Sequence, residues 1–501
     1  MPNKPESEKV VVNIVGGSTF GRYAKISAEK TYNMYISDGW LISFAGWKKQ
    51  IDLLPSGKGR GLFHSIRGGF LIAVVNSNVY RVDTDLNATL LGSVASGSGE
   101  VYMDENQSNQ VCIVDGVNAY IYNWTLPPAI VVQDLSINPT LVPGYVCYHN
   151  NFFLFGNKNP TSTGGLWYIY NYMDAQHIQF YQQQALQTKP DYALAIRRIP
   201  AQGNNILVLG SAVCEIWTQI SGTQAAYRRN ESINVDYGCL NVTTISSCDE
   251  YTAWLGVNES NAPVIMVYSQ QGIEQISTDG INYVLNNLVA PQQSTAAFYK
   301  QDGHLFYQLT FFNQADNLTL VYDFITKKFF HLTDSDSNYH PAIDVIYFNQ
   351  TSFFLSINNA ALYEMSSNYG AYDENTPVEN FPNLVGEIPR IRICKAIRDA
   401  DANHFVAKML FMMIEQGYDD GYVGLDDNNT ALHYVPRVDL CLSADSGITY
   451  GSTVARYMQP LGVRQNKMTW QKMGLYNDLT LKFKFWGFKH FCVNNAYLVA
   501  G

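Results

Sequence analysis

Charged residues are scarce in this 501-residue chain, and the shortage limits what the protein can be. Asp, Glu, Lys and Arg make up only 15% of the sequence, whereas soluble domains usually carry about 25%. Aromatic residues make up 13% and hydrophobic residues as a group 47%. Disordered chains carry far fewer apolar residues, so disorder is excluded. The length allows two or three folded domains.

Basic residues are also in the minority, with 33 Lys and Arg against 43 Asp and Glu and a net charge of −10. Phosphate groups are repelled by such a surface, so we do not expect tight wrapping of nucleic acid. No apolar run approaches the roughly 20 residues of a membrane helix, and we expect no membrane partner. The first residues lack the apolar stretch of a signal peptide, so we expect synthesis in the cytoplasm.

The common motifs of catalysis and cofactor binding are missing. The sequence has no phosphate-binding G-x-x-x-x-G-K-[ST] or G-x-G-x-x-G, no H-E-x-x-H and no G-x-S-x-G. Its eight cysteines are scattered without a C-x-x-C pair, which favours buried free thiols over disulfides or zinc. Its nine histidines form no close pair, His331 and His340 being the nearest. We therefore predict no cofactor, no metal and no catalytic residue.

Two acid-rich turns have a spacing that is also found in calcium loops. The segments 83–87 and 334–338 place Asp, Asp and Asn at alternate positions. Both lack the glycine at the sixth position and the glutamate at the twelfth, where Val94 and Val345 stand. Because Asp and Asn are also ordinary turn residues, we favour hairpin turns over calcium sites.

A repeated hairpin pattern indicates the fold. A turn of Asn, Asp or Gly leads into an apolar strand, a short break and an aromatic-rich second strand, as in GGFLIAVVNSNVYRVD from Gly68. The copies follow one another about 40 to 55 residues apart, which is typical of β-propeller blades. We predict six or seven blades, with each hairpin supplying the inner strands of one blade. The alternative is a series of unrelated β-meanders in a sandwich. The turns lie at Gly69, Asn109, Asn150, Asn204, Asp249, Asp302 and Asn349.

Three prolines interrupt this rhythm in the segment 374–389, which is predicted to be a linker. Residues 61–373 are assigned to the propeller, and residues 1–60 to a segment that contributes to it and to contacts. Residues 390–501 are predicted to form an antiparallel β-sandwich, since Leu481–Phe485 alternates in polarity as a half-buried strand does. The segment 404–417 is compatible with either a helix or a strand. The predicted fold class is therefore all-β, a propeller followed by a sandwich.

One motif in the second unit resembles the Asp-box of sialidases and other propellers. Ser443, Asp445, Gly447, Thr449 and Tyr450 match the pattern S-x-D-x-G-x-T-[WFY]. We expect the Ser and Asp side chains to cap a turn while the tyrosine packs beneath it. Because the box occurs once and outside the repeats, it indicates a stable hairpin and not sugar chemistry.

The ordered series of motifs resembles the packaged DNA stabilisation proteins of short-tailed bacteriophages, also called tail accessory factors or tail hub (nozzle) proteins. In that family a Pro-Gly is common where this chain has Ala45-Gly46. The elements that carry the resemblance are Gly21–Tyr23, Thr31–Tyr35, Phe44–Trp47, Gly59–Gly61, Val79–Val82, Lys189–Asp191, Gly210, Cys214–Trp217, Asp236–Gly238, Ala253–Gly256, Gln275–Ser277, the Asp-box-like hairpin and Trp470–Gly474.

The resemblance implies a non-enzymatic protein of the virion tail, made and assembled in the cytoplasm of the bacterial host. It implies a ring of six copies below the portal–adaptor ring that carries a tail needle or plug and tailspikes or fibres. Double-stranded DNA would pass through without being tightly bound. We expect one acidic loop to face the lumen or a subunit interface, and its residues are Asp419, Asp420, Asp426 and Asp427.

Two alternatives remain open at this point. The first is a glycan-binding or sialidase-like propeller associated with the tail. The second, outside viruses, is a secreted adhesive propeller.

Overall fold

The computed structural model describes the chain apart from a set of short segments. These are residues 1–7, 21–28, 139, 159–163, 201–202, 221–224, 234, 249, 374–376, 379–380, 400, 402, 416–421, 426–429, 434, 460–466 and 488–491.

Five short strands precede the repeats, and they serve two different parts of the molecule. The fifth belongs to the propeller and the first four to a second unit described below. They are β1 (Glu8–Val12), β2 (Lys30–Tyr32), β3 (Met34–Ser37), β4 (Trp40–Ser43) and β5 (Gly46–Asp52).

Seven antiparallel sheets follow and form seven blades, within the predicted six or seven. The strands of the first four blades are β6 (Gly59–Ser65), β7 (Phe70–Val75), β8 (Asn78–Val82) and β9 (Ala88–Ser93); β10 (Tyr102–Glu105), β11 (Gln110–Val114), β12 (Ala119–Asn123) and β13 (Ile130–Val132); β14 (Pro143–His149), β15 (Phe152–Asn157), β16 (Leu166–Asp174) and β17 (His177–Ala185); and β18 (Ala193–Arg198), β19 (Asn205–Gly210), β20 (Cys214–Gln219) and β21 (Tyr227–Arg229).

The fifth blade has two short strands in the innermost position, and the seventh takes its outer strand from the N-terminal segment. The strands of the last three blades are β22 (Gly238–Cys239), β23 (Ser246–Cys248), β24 (Tyr251–Val257), β25 (Pro263–Ser269) and β26 (Gly272–Gln275); β27 (Ser294–Gln301), β28 (His304–Phe311), β29 (Leu318–Asp323) and β30 (Lys328–His331); and β31 (Ala342–Phe348), β32 (Thr351–Ser356), β33 (Ala361–Ser366) and β5. A 3-10 helix (Val242–Thr244) and helix α1 (Asp279–Asn286) lie between strands.

The blades form a closed circle. Their innermost strands contact one another in chain order, and β31 of the seventh blade contacts β6 of the first. The circle is closed within the seventh blade as well, because β33 pairs with β5 from the start of the chain in antiparallel register, with Ala361 opposite Asp52. The predicted β-propeller is therefore confirmed.

The prediction about the repeated hairpin was wrong in one respect. Each copy forms the second and third strands of its blade, as β7–β8 and β28–β29 do, and the innermost strand precedes it. The middle strands have neighbours on both sides and a blade against each face, so they are buried and largely apolar. All six residues of β7 and all eight of β28 are buried, which explains why these strands gave the strongest signal.

The remaining strands are β34 (Pro377–Val378), β35 (Phe381–Val385), β36 (Arg390–Ile393), β37 (Phe405–Ile414), β38 (Tyr422–Leu425), β39 (Ala431–His433), β40 (Arg437–Ser443), β41 (Val454–Tyr457), β42 (Lys467–Tyr476), β43 (Thr480–Trp486) and β44 (Cys492–Ala500). Seven of them build a β-sandwich together with the N-terminal segment, whereas β34–β35 and β38–β39 are separate two-stranded sheets. One sheet of the sandwich has the order β3-β4-β44-β37-β42, with β1 also on β44, and the other continues from the sixth blade as β30-β2-β36-β43-β40-β41.

The strands of the sandwich decide between helix and strand for one segment and test the alternation predicted for another. The segment that was compatible with a helix or a strand is strand β37. The alternation at Leu481–Phe485 is confirmed, since Leu481, Phe483 and Phe485 are fully buried between the sheets and the two lysines are half-buried. Within the part of the chain that the structure describes, no helix has the length and apolar character to cross a membrane.

The sandwich and the propeller share one sheet and one core. Strand β2 pairs in parallel with β30 of the sixth blade and antiparallel with β36 of the sandwich. One hydrophobic cluster contains Phe306 and Phe354 from blades six and seven together with Trp470 and Phe483 from the sandwich. The two units therefore meet through backbone hydrogen bonds and packed side chains.

Candidate functional site

The central channel of the propeller is the first place to look for a function. Its lining comes from the innermost strands of all seven blades, and the cavity that they enclose together has a volume of about 170 Å³. At Arg60 the guanidinium group donates hydrogen bonds to the carbonyls of Asn76, Ser96, Ser98 and Gly99. The side chain is almost completely buried, so it ties two inter-strand connections together beside the channel.

The channel is too small for a nucleic-acid duplex. A B-DNA duplex is wider than its own major groove, which is about 12 Å across. A cavity of about 170 Å³ leaves no opening of that width between the innermost strands. Burial raises the pKa of Asp344, which lines the channel, to about 7. At neutral pH this carboxyl group is therefore only partly ionised.

The motifs of the fourth blade form a hydrogen-bond network around two carboxylates. Asp191 accepts hydrogen bonds from the backbone N–H groups of Ser211, Ala212 and Val213. Glu215 is fully buried, and it accepts from the N–H groups of Gln187 and Thr188 and from the indole of Trp217. The two carboxylates therefore fix the segment that leads into blade four and the turn between β19 and β20.

The glycines of the same motifs allow close approach between blades four and five. A β-carbon at Gly238 would overlap the backbone of Ser211 and Ala212, and one at Gly210 would overlap the carboxylate of Asp191. The indole of Trp254 donates to the carbonyl of Gly238 at 3.1 Å. The motifs in this region thus serve packing between blades rather than chemistry.

A buried joint connects the N-terminal segment, the propeller and the sandwich, and we define it by Glu29, Asn33, His331, Arg390 and Arg392. The two arginines are fully buried on strand β36. Arg392 forms an ion pair with Glu29, with 2.6 Å between Nη2 and Oε2, and donates to the carbonyls of residues 13, 14 and 17. Arg390 donates to Ser43 Oγ and to the carbonyls of residues 370 and 487.

Asn33 completes the buried joint. It has a positive φ of 55°, and its amide donates to Thr333 Oγ1 and the carbonyl of Pro389. Its side-chain oxygen, Oδ1, accepts from the N–H of Thr333 and the hydroxyl of Tyr372. One side chain therefore bridges the sixth blade, the seventh blade and the start of the sandwich.

The segment Phe44–Trp47 anchors the last blade. Trp47 stacks on Tyr372 with 3.5 Å between ring centroids, and a β-carbon at Gly46 would overlap the carbonyl of Ala371. The N–H of Ala45 donates to Oε1 of Gln301 at 3.2 Å. A proline at this position, as is common in the family that the sequence resembles, has no N–H and could not make this bond.

Comparison with known proteins gives the family. The sequence model of the family described as "Bacteriophage P22 Gp10, beta-propeller" matches residues 28–370, more than half of the chain. The chain belongs to this family. It is a phage β-propeller structural protein of the P22 Gp10 type and a virion component, which confirms the resemblance seen in the sequence. No curated protein matches the sequence.

Solved structures with a similar arrangement include several propellers at low identity. The streptogramin B lyase structure has a TM-score of 0.42 and 9% identity, covering 66% of this chain and 99% of that chain. Virginiamycin B lyase from Staphylococcus aureus has a TM-score of 0.43 and 12% identity, with 64% and 99% covered. The WD40 β-propeller domain of Doa1 has a TM-score of 0.39 and 8% identity, with 64% and 97% covered.

The family match covers the network in blades four and five and part of the buried joint. Glu29, Asn33 and His331 lie inside the matched residues, whereas Arg390 and Arg392 lie beyond them. The match therefore includes three of the five residues that define the buried joint, and the other two lie on strand β36 of the sandwich.

The predicted acidic loop cannot be placed. Asp419, Asp420, Asp426 and Asp427 lie outside the described residues. The backbone between and after them forms the short antiparallel pair β38–β39. Its position at the lumen or at a subunit interface stays a prediction.

The acid-rich turns are closed by their own hydrogen bonds. Asp83 Oδ1 accepts from the N–H groups of Asp85 and Asn87, and Asp334 Oδ1 accepts from the N–H of Asn338 at 2.7 Å. This is the behaviour of ordinary Asx turns. Among the described residues, no group of three or more His, Cys, Asp or Glu side chains could hold a metal ion.

The Asp-box-like hairpin behaves as predicted. Ser443 Oγ accepts from the N–H of Gly447 at 2.9 Å, and Asp445 accepts from the N–H groups of Ile448 and Thr449. These bonds hold the pKa of the Asp445 carboxyl well below its usual range. The box caps a turn between β40 and β41.

The eight cysteines are also free thiols as predicted, and five of them are buried.

Burial of His340 makes the stability of the folded protein depend on pH. Its Nδ1 accepts from the N–H of Ala342 and lies 3.1 Å from Nε2 of Gln308, and burial lowers the pKa to about 3. The unfolded chain takes up this proton near pH 6.5 and the folded chain does not. Stability that is present above pH 6.5 is therefore lost as the pH falls toward 3.

We expect His340→Gln to remove this loss. Between pH 7 and pH 5 the free energy of unfolding of the unmodified protein should fall by about 2 kcal/mol more than that of the variant. Denaturant unfolding at both pH values measures the difference. An equal fall in the free energy of unfolding of the two proteins would show that His340 takes up its proton between pH 7 and pH 5 in the folded state as well.

Proposed function

We propose that six copies of this protein form a ring in the tail hub, below the portal and its adaptor, and that the ring retains the packaged genome and later lets it leave. Membership of a phage structural family supports this proposal. The observation that carries the proposed geometry is the small channel of each propeller. The path for DNA must then lie between subunits, on the axis of a ring.

The surface chemistry supports permanent contacts between copies. Charged residues are only 15% of the chain, and the cores of protein interfaces are depleted in charge. Large apolar side chains remain exposed on the outer face of the sandwich sheet that contains β1, β37 and β42. Among them are Val11 at 68%, Leu475 at 61% and Val406 at 41% exposure. We propose that this face contacts the next subunit of the ring.

We further propose that the protein acts without catalysis and in the company of other tail components. Its partners would be the portal–adaptor ring, a needle or plug and tailspikes or fibres. DNA would slide past a surface with net charge −10, since each phosphate contact with a basic residue would add affinity and hold it back.

Light scattering after size exclusion tests this function. The purified chain is expected to reach six times its 56.3 kDa mass when alone, or to add that mass to the portal–adaptor complex of its phage when the two are mixed. A chain that stays monomeric alone and does not bind the adaptor would contradict the proposal. The variant Leu475→Asp should weaken assembly, whereas Ile325→Asp, at a propeller residue with 64% exposure, is the matched control.

A further inference from the structure

A neutral cleft lies on one rim of the propeller, where the turns of blades two, three and four meet. Its volume is about 610 Å³, within the range of small-molecule sites. Among the residues that the structure describes, no charged side chain lines it. The lining residues are Asn106, Ser108, Tyr148, Asn150, Asn151, Phe152, Asn171, Tyr172, Tyr181, Asn204, Gln219, Ile220 and Ala226.

The turn between β14 and β15 fixes the amide side of the cleft. Asn150 and Asn151 both have positive φ, 43° and 76°, a conformation that asparagine tolerates better than most residues. The amide of Asn150 donates to Oε1 of Gln219 at 2.6 Å, and Oδ1 of Asn151 accepts from the hydroxyl of Tyr148. The turn of blade three and the end of β20 in blade four are thereby held in place before any ligand arrives.

Other polar groups in the cleft are left available. Within the part of the chain that the structure describes, the Nδ2 groups of Asn151, Asn171 and Asn204 donate to no protein acceptor, and the hydroxyls of Tyr172 and Tyr181 have no protein partner. A side-chain amide offers two donors and a two-fold acceptor, and a tyrosine hydroxyl offers one donor and an acceptor. The cleft therefore presents a dense set of uncharged hydrogen-bonding groups.

An aromatic wall stands next to these amides. Phe152 and Tyr181 lie with their ring centroids 5.0 Å apart, and Tyr181 and Tyr172 are 43% and 41% exposed. Exposed tyrosine rings offer a flat apolar surface beside a polar tip. Their faces can pack against the C–H groups of a sugar ring while the amides bind its hydroxyls.

We propose that this cleft binds a neutral carbohydrate and does not cleave it. Uncharged donors and acceptors beside an aromatic face match a polyhydroxyl ligand, whereas an acidic sugar or a phosphate would require a basic side chain. Glycoside hydrolysis requires a pair of carboxyl groups across the bond, and the described residues that line the cleft include no carboxyl group. The class of ligand is therefore an uncharged oligosaccharide such as those exposed on cell surfaces.

Saturation-transfer NMR and isothermal titration on the full chain test the proposal. The probes are uncharged oligosaccharides of glucose, galactose, mannose and rhamnose, with a sialic acid oligomer as the charged comparison. We expect at least one neutral probe to bind and the sialic acid oligomer not to bind. Tyr181→Ala should weaken binding about tenfold, since an aromatic contact contributes about that factor.

Three further variants make the test specific. Tyr181→Phe keeps the ring and should retain most of the affinity, while Gln219→Ala should weaken binding by removing the partner of Asn150. Tyr283→Ala alters a tyrosine of helix α1 with similar exposure, 45%, outside the cleft and should change nothing. Failure of every neutral probe to bind, or binding that Tyr181→Ala and Gln219→Ala leave unchanged, would overturn the proposal. These measurements are independent of ring formation.

Discussion

Replacing Arg392 by alanine is expected to lower the free energy of unfolding by about 3–5 kcal/mol, because the change leaves the buried Glu29 without its partner. Three backbone carbonyls and Thr31 Oγ1 lose donors at the same time. Equilibrium unfolding in denaturant, followed by tryptophan fluorescence, measures the change in the midpoint.

Arg398 provides the matched control. It pairs with Asp478 at 2.6 Å, but its side chain is 40% exposed, and exposed ion pairs contribute at most about 1 kcal/mol. Arg398→Ala should therefore have a small effect. Equal effects of the two variants would show that the buried joint does not hold the propeller and the sandwich together.

Replacing Glu215 by alanine is expected to cost about 3–5 kcal/mol. Its carboxylate is the common acceptor for two backbone N–H groups and for the indole of Trp217 at 2.9 Å. All three donors would lose this partner in the interior of blade four. Thermal unfolding should show the loss, and the near-ultraviolet circular dichroism of the tryptophans should change with it.

Two further variants separate charge from hydrogen bonding. Glu215→Gln keeps one acceptor oxygen and should cost less than Glu215→Ala. Glu259→Ala removes a carboxylate that is 68% exposed and pairs with Lys189, so it should change stability by less than about 1 kcal/mol. A loss for Glu259→Ala as large as that for Glu215→Ala would contradict the structural role assigned to Glu215.

The propeller could be predicted because its strongest signal is repeated. Strands such as β7 and β28 are buried on both faces and are therefore largely apolar. The innermost strands carry a weaker signal, since glycine and polar residues such as Gly59, Arg60 and Gly61 occur in them. The number of blades and the pairing of β5 with the seventh blade depend on contacts between distant parts of the chain. A local sequence pattern does not reveal such contacts.

The buried joint could not be predicted from the alternation of strand β36. The sequence Arg390-Ile391-Arg392-Ile393 would ordinarily place its isoleucines inward, because charged groups are rarely buried unless they are paired. In the structure the arginines are fully buried and the isoleucines half-buried. The partners that make this arrangement stable come mainly from residues 13–43 and from Gly487, far away in the sequence, and one more is the carbonyl of Gly370.

The neutral cleft escaped sequence analysis for a similar reason. Its lining comes from the turns and strand ends of three blades, and each contributing segment has the composition of an ordinary hairpin. In the sequence, Asn150 is one of the repeated turn positions. The motifs that carried the family resemblance, by contrast, proved to be the residues of blade packing, such as Gly238 and Trp254.

Cryo-electron microscopy of the assembled tail with its genome still in place tests the central claim most directly. The account predicts a ring of six copies with duplex DNA on its axis, bounded by the surfaces of the subunits, and an empty central channel in every propeller. A copy number other than six around the duplex, or density for DNA inside a propeller channel, would contradict it.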